Sequence, residues 1–193
     1  MECERSRARP AHRPPRLSLL LPTLPRAGGY NPAMRGNPDI TVAAIIERAG
    51  RFLVVEERIN RRLLLNQPAG HLERGETLLA AVVREAREET AWRFEPEALL
   101  GVYRWRNPKS GRSFLRFAFV GAVSEHDAGQ RLDRGIVRTH WLSAPELRER
   151  AEQLRSPLVL RCIEDYLAGH RQALETVAAL DLQSATAVAA VTV

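Results

Sequence analysis

Between Thr77 and Thr90 the apolar residues Leu78, Leu79, Val82, Val83 and Ala86 recur at three- and four-residue spacing, and arginine and glutamate fill the positions between them. That period belongs to a helix with one face against a core. The segments on either side follow another rule. Residues 41–46 and 52–55 read as a hairpin turned at Gly50, and residues 63–65 as a weaker strand. Pro68 and Gly70 then interrupt regular pairing before a short extended piece at 71–73. Residues 99–106 and 112–123 read as two long strands joined at 107–111, and 136–142 as a further strand. Ser143 can cap a short helix through Ala151, and Pro157 can begin a longer amphipathic one. A strong helix set among short strands makes this an α/β chain.

At 193 residues the chain has room for one domain with a real core and too little for two ordinary ones. Apolar residues at 45% and charged residues at 27% exclude wholesale disorder, a collagen-like repeat or a disulfide scaffold. Cys3 and Cys162 stand far apart with no ligand spacing near them, so neither zinc nor a disulfide framework is expected. The net charge of +6 would suggest a nucleic-acid partner if it were spread over the chain. It is not. Residues 1–33 carry six arginines against Glu2 and Glu4, which leaves +2 for everything after them, and no nucleic-acid partner is expected of that nearly neutral body.

Residues 1–38 also hold seven of the twelve prolines and are expected to form a flexible Arg/Pro-rich extension, followed by one domain over 39–174 and a partly frayed tail over 175–193. The apolar run at 17–24 imitates a signal peptide but is short, contains Pro22 and lacks a small-x-small site behind it. Residues 1–33 also read as upstream sequence ahead of a start at Met34. No 18-residue apolar segment is present, so no membrane span, a cytoplasmic location and a monomer are the expectations.

Residues 70–92 read GHLERGETLLAAVVREAREETAW. On a helix, Glu85, Glu88 and Glu89 fall at i, i+3 and i+4, so the three carboxylates emerge along one face and repel one another. A hard divalent cation relieves that repulsion, because Mg²⁺ takes carboxylate, water and phosphate oxygens. Arg84, four residues before Glu88, can fix a carboxylate's orientation, and Glu76 at the loop–helix junction can accept from it or from a backbone N–H. Gly70 and Gly75 let the backbone come close to a metal or a phosphate. A solvated Arg/Glu helix face is the plainer reading of the same charges.

The spacing Gly70, Glu76, Arg84-Glu85, Glu88-Glu89 matches the signature of the Nudix hydrolases at every charged position, and the chain resembles that family. Its one departure is Ala91, where the family usually has glycine. Four further segments, FLVVEE (52–57), NQPAGHLE (66–73), FLRF (114–117) and LRSPLV (154–159), look like bacterial phosphatases of the same family, over about residues 39–174. The resemblance implies an α/β/α sandwich with a mixed sheet and a loop–helix–loop signature. It also implies Mg²⁺ or Mn²⁺ at Glu85, Glu88 and Glu89 with Gly70 close by, Arg84 orienting them, and hydrolysis of small nucleotide or other diphosphate substrates, hydroxymethylpyrimidine diphosphate among them. Glu88 or Glu89 is expected to take the proton from the attacking water, with Asp133 and Glu56-Glu57 in reserve.

Substrate contacts are less defined. Arg116, in an apolar strand, either pairs with an acid or reaches a phosphate. Trp105 and Trp141 either stack a ring or fill the core. Gln67 and His71 bracket the Pro68-Ala69-Gly70 turn, His71 reading equally as a strand-surface residue. Retention of all four charged positions Arg84, Glu85, Glu88 and Glu89 favours an enzyme over a non-catalytic nucleotide sensor.

Overall fold

Val42, Ala43, Ala44, Ile45 and Ile46 are consecutive in one strand, yet none is more than 1% exposed. Alternate side chains of a strand point to opposite faces, so both faces of this one are covered. The structure, a computed structural model, describes residues 37–177. The expected extension, apart from Asn37 and Pro38, and the tail beyond Val177 lie outside the described residues. The elements are β1 (Asp39–Arg48), β2 (Arg51–Ile59), β3 (Arg62–Asn66), β4 (Ala69–His71), α1 (Leu78–Thr90), β5 (Trp92–Arg106), β6 (Ser113–His126), β7 (Ile136–Ser143), α2 (Ala144–Glu149) and α3 (Leu158–Leu167), with 3₁₀ turns at Ala151–Gln153 and Leu174–Val177.

Val42, Ala44 and Ile46 pack with Phe94 and Phe119 under the apolar stripe of α1, made by Ala81, Val82 and Ala86. Ala43 and Ile45 face the other way, toward Leu147 of α2 and Val159 and Ile163 of α3. The result is the expected α/β/α sandwich. Its sheet is mixed, because β1 runs parallel to β6 while β2, β4 and the β5–β6 pair are antiparallel.

The hairpin at Ala49-Gly50 uses positive φ at both positions (51° and 77°), the two-residue turn that matches strand twist. Yet β1 and β2 stay paired only at Glu47↔Phe52 and Arg48↔Arg51. Further along, β1 gives the same edge to β4, from Ala43↔Ala69 to Thr41↔His71. β2 instead pairs with β3 and β7. The sheet therefore forks, and a cleft opens between β4 and β1 on one side and β2 and β3 on the other.

Three elements differ from the sequence expectation. The short strand lies at Ala69–His71, not 71–73, because β1 claims that backbone, with the Ala44 N–H also donating to the Pro68 carbonyl at 2.9 Å. β5 begins at Trp92, seven residues before the expected start at 99. Pro96 reads as a breaker but sits on a strand that pairs only with β6, at a register shift, where its missing N–H leaves no ladder bond unmade. The short helix after Ser143 ends at Glu149; its Ser143–Glu146 capping box is the expected cap made reciprocal. Among the described residues, no helix is long and apolar enough to cross a membrane.

Candidate active site

Thr77 caps α1 by accepting from the Ala80 N–H at 3.1 Å, and the buried Ala/Val stripe then fixes the helix's rotation on the sheet. That rotation presents Arg84, Glu85, Glu88 and Glu89 toward β4 and the loop after it. Arg84 joins the group. Its Nε and Nη2 bind the two Glu76 oxygens at 2.9 and 3.0 Å, and its Nη1 donates to Glu85 Oε1 at 2.8 Å and Glu88 Oε2 at 3.0 Å. Nη2 also donates to the His71 carbonyl at 3.1 Å. Both partners read for Glu76 from the sequence are present: Arg84 and a backbone N–H, that of Glu73 at 3.2 Å. The bond to Glu85 was not foreseen. The Arg84 hydrogen bonds hold the Glu76 carboxyl below its ordinary range and push the Arg84 guanidinium up.

Glu85 is buried, and burial raises its pKa against the opposing pull of Arg84, with Glu88 and Asp133 adding to the rise. Its carboxylate occupies the space a β-carbon would take at residue 70, so that position accepts only glycine without displacing the acid. Glu89 turns the other way and accepts from the Ala69 N–H at 2.8 Å. Burial pushes its pKa up to about 8, and the Glu85, Glu57 and Asp133 carboxylates add to the rise. The Asp133 N–H donates to the Glu88 carbonyl at 2.9 Å, and the Asp127 N–H to that of Ala91 at 3.0 Å, so the acidic loop is fastened across the C-terminal end of α1. Ala91 there has φ 59° and ψ 11°, the left-handed conformation that favours glycine.

As the side chains stand, no three acidic, histidine or cysteine groups among the described residues converge on one point that could hold an ion. The reason is visible: Arg84 sits between Glu85 and Glu88, and Glu89 is drawn to the strand. The donor chemistry nevertheless suits a hard divalent cation, since Glu85, Glu88 and Glu89 offer only carboxylate oxygens and repel one another across Gly70.

On the other side of β4 lies a cavity of about 250 Å³ within the fork of the sheet. His71, Trp105 and Arg116 line it, as do Gly70 and the reserve acid Glu57. Trp105 stacks on Phe114, with ring centroids 5.7 Å apart and planes inclined by 23°. Arg116 is only 8% exposed and makes no ion pair; its Nη1 donates to Gln67 Oε1 at 3.3 Å. Gln67 itself is turned into the core, where its Nε2 donates to the Val159 carbonyl at 2.8 Å, so it supports Arg116 from below. Trp141 lies elsewhere, against Trp92, with the Arg48 guanidinium 5.2 Å from its ring centre. Glu56 pairs with Arg138 at 2.8 Å, outside the cavity.

The sequence reading missed Thr41, Asn66, Arg155 and Ser156, which also line the cavity. Asn66 and Ser156 are polar residues flanking Gln67-Pro68 and Pro157, a signal that points to turns as readily as to a site. Six buried side-chain atoms among the described residues have no hydrogen-bond partner in the protein. Five of them belong to this cavity: Thr41 Oγ1, Glu57 Oε1, Asn66 Oδ1, Arg116 Nε and Ser156 Oγ.

Comparison with known proteins agrees with this architecture. The family model for the NUDIX domain matches residues 37–162. The Phosphatase NudJ proteins of Escherichia coli K12 and of Shigella flexneri are each 42% identical over 140 residues, covering 72% of this chain and 90% of theirs. The solved structure of a NUDIX hydrolase from Nitrosomonas europaea superposes with a TM-score of 0.74 at 46% identity, covering 76% of this chain and 99% of that one. The fold and these relatives define a hydrolase of phosphoric anhydride bonds. The chain belongs to the Nudix family, whose hydrolases generally use divalent metal ions.

Proposed function

We propose that the chain is a phosphatase of the NudJ kind, removing the terminal phosphate from nucleoside tri- and diphosphates and from hydroxymethylpyrimidine diphosphate. One observation carries this reading. The four segments that resemble bacterial phosphatases, 52–57, 66–73, 114–117 and 154–159, come from distant parts of the chain, yet each contributes lining to the single cavity beside the glutamates. Likeness spread in that way is likeness of a substrate pocket as well as of a scaffold.

Glu85, Glu88 and Glu89, with Gly70 close by, would hold Mg²⁺ or Mn²⁺. The cation supplies neutralisation of the phosphate charge and acidifies water. The protein's own groups do the rest. Arg84, held on both sides of its guanidinium by Glu76, fixes where Glu85 and Glu88 can stand, and Gly70 lets Glu85 lie flush against β4. Glu88 or Glu89 takes the proton of the attacking water. Burial supports Glu89 in that role, because a base is most effective when its pKa lies near the working pH. Asp133, tied by its backbone to Glu88, adds negative charge that keeps Glu89 basic.

Anion-exchange separation of a timed guanosine triphosphate digest tests the reading. Diphosphate with inorganic phosphate is expected first, followed by monophosphate. Monophosphate with pyrophosphate from the first time point would overturn the NudJ-like assignment and leave Nudix hydrolysis standing.

A further inference from the structure

Buried polar atoms in folded proteins are nearly always paired, so five unpaired ones around a single cavity mark the surface of a ligand. Thr41, Asn66, Arg116 and Ser156 are each less than 9% exposed, which leaves their free atoms nowhere to turn but inward. Resting on the diphosphatase reading above, we propose that this cavity receives the ring of the substrate, and that Glu57 and Asn66 make it select amino-bearing heteroaromatic rings over their oxo equivalents.

The donor and acceptor set decides the chemistry. Asn66 Oδ1 and Glu57 Oε1 are acceptors, Arg116 Nε–H is a donor, and the Thr41 and Ser156 hydroxyls can act either way. Arg155 Nε comes within 3.3 Å of Glu57 Oε1 as an ion pair, without the alignment of a hydrogen bond. A phosphate in this cavity would set oxygen against both Glu57 and Asn66. An apolar group would leave all five atoms unpaired. A ring with an exocyclic amine beside a ring nitrogen gives N–H to the acceptors and a lone pair to Arg116. The oxo isomer inverts that order and puts acceptor against acceptor.

Shape agrees with charge. The Trp105 indole, backed by Phe114, is a flat aromatic wall of the kind a ring stacks on. A volume of about 250 Å³ lies below the usual range of ligand pockets, roughly 300–1,000 Å³, and so suits one ring system and not a whole nucleotide. Gly70 and His71 line the same cavity, and the Glu85 carboxylate packs on Gly70, so a ring seated here would leave its phosphates at the glutamates.

The test uses the full chain and two matched pairs, cytidine against uridine triphosphate and adenosine against inosine triphosphate. The amino member of each pair is expected to be favoured in kcat/KM by about tenfold, the scale of one well-placed hydrogen bond to a charged group. Asn66→Leu and Glu57→Gln are each expected to bring that ratio to within about threefold of one. A parent ratio near one, or a ratio unchanged in both variants, overturns the pocket assignment while the hydrolysis itself leaves the diphosphatase reading intact. A second measurement needs neither variants nor turnover: millimolar cytidine is expected to raise the melting temperature of the parent chain more than uridine does. Equal shifts overturn the proposal. If no nucleotide is hydrolysed at all, the diphosphatase reading falls, and the nucleoside shifts still decide the pocket.

Discussion

The two sides of β4 are opposites in their hydrogen bonding. Toward α1, Glu76, Arg84, Glu85 and Glu88 are joined through one guanidinium, and Glu89 is tied to the Ala69 N–H. Toward the fork of the sheet, Thr41, Glu57, Asn66, Arg116 and Ser156 each carry an atom with no partner in the protein. A closed network positions its members, and it has to be loosened before it can bind anything new. An open set of buried polar atoms is stabilised by what enters it. Catalytic groups are thus held in one place and recognition groups are left unfinished in another, with Gly70 in contact with both.

The largest effect should come from breaking the closed side. Glu88→Gln and Glu89→Gln are each expected to lower turnover by at least about 10²-fold with the fold retained, since each removes charge from the acidic face and one of them removes the base. Turnover of guanosine triphosphate at saturating Mg²⁺ measures it; parent-like rates in both variants would place the chemistry elsewhere. Next comes the residue shared by the two sides. Gly70→Ala places a β-carbon where the Glu85 carboxylate lies, and a loss of roughly tenfold in turnover is expected, as small misplacements of catalytic groups cost that much or more. Shortening the acid in Gly70→Ala/Glu85→Asp should recover melting temperature relative to the sum of the single changes, and strict additivity would show that the two do not touch.

The unbalanced charge on the closed side sharpens the comparison through pH. Glu89 titrates at about 8 in the folded chain against an ordinary value of 4.5, so the folded state holds its proton more tightly. The stability this contributes is present below pH 4.5 and is lost as pH rises toward 8. Metal-free protein is therefore expected to melt lower at pH 9 than at pH 5, by something on the order of 5 °C. Glu89→Gln should flatten the slope, and a slope unchanged in that variant would refute the assignment. The smallest effect concerns the end of α1. Ala91→Gly removes the strain of a left-handed alanine and is expected to stabilise by about 0.5–1 kcal/mol, a rise of roughly 2–4 °C in melting temperature.

The closed side could be read in the chain because it is local. Glu76 to Glu89 span little more than one helix, and a 3.6-residue period converts their spacing directly into a shared face. The two-residue hairpin, the helix cap at Thr77 and the Ser143 cap were legible for the same reason: each depends on neighbours within four residues. The start of β5 was not, because Pro96 ends a strand in most settings, and only its place at the sheet's edge makes it harmless. The recognition side was hidden for a deeper reason. Glu57, Asn66, Arg116 and Ser156 are spread over four elements and the loop before α3, and in isolation each looks like a strand-end acid, a turn residue, an ion-pair partner or a helix cap. They meet only because β1 leaves β2 after two residue pairs and takes β4 instead, and that choice is made by the packing of the whole sheet between its two helical layers.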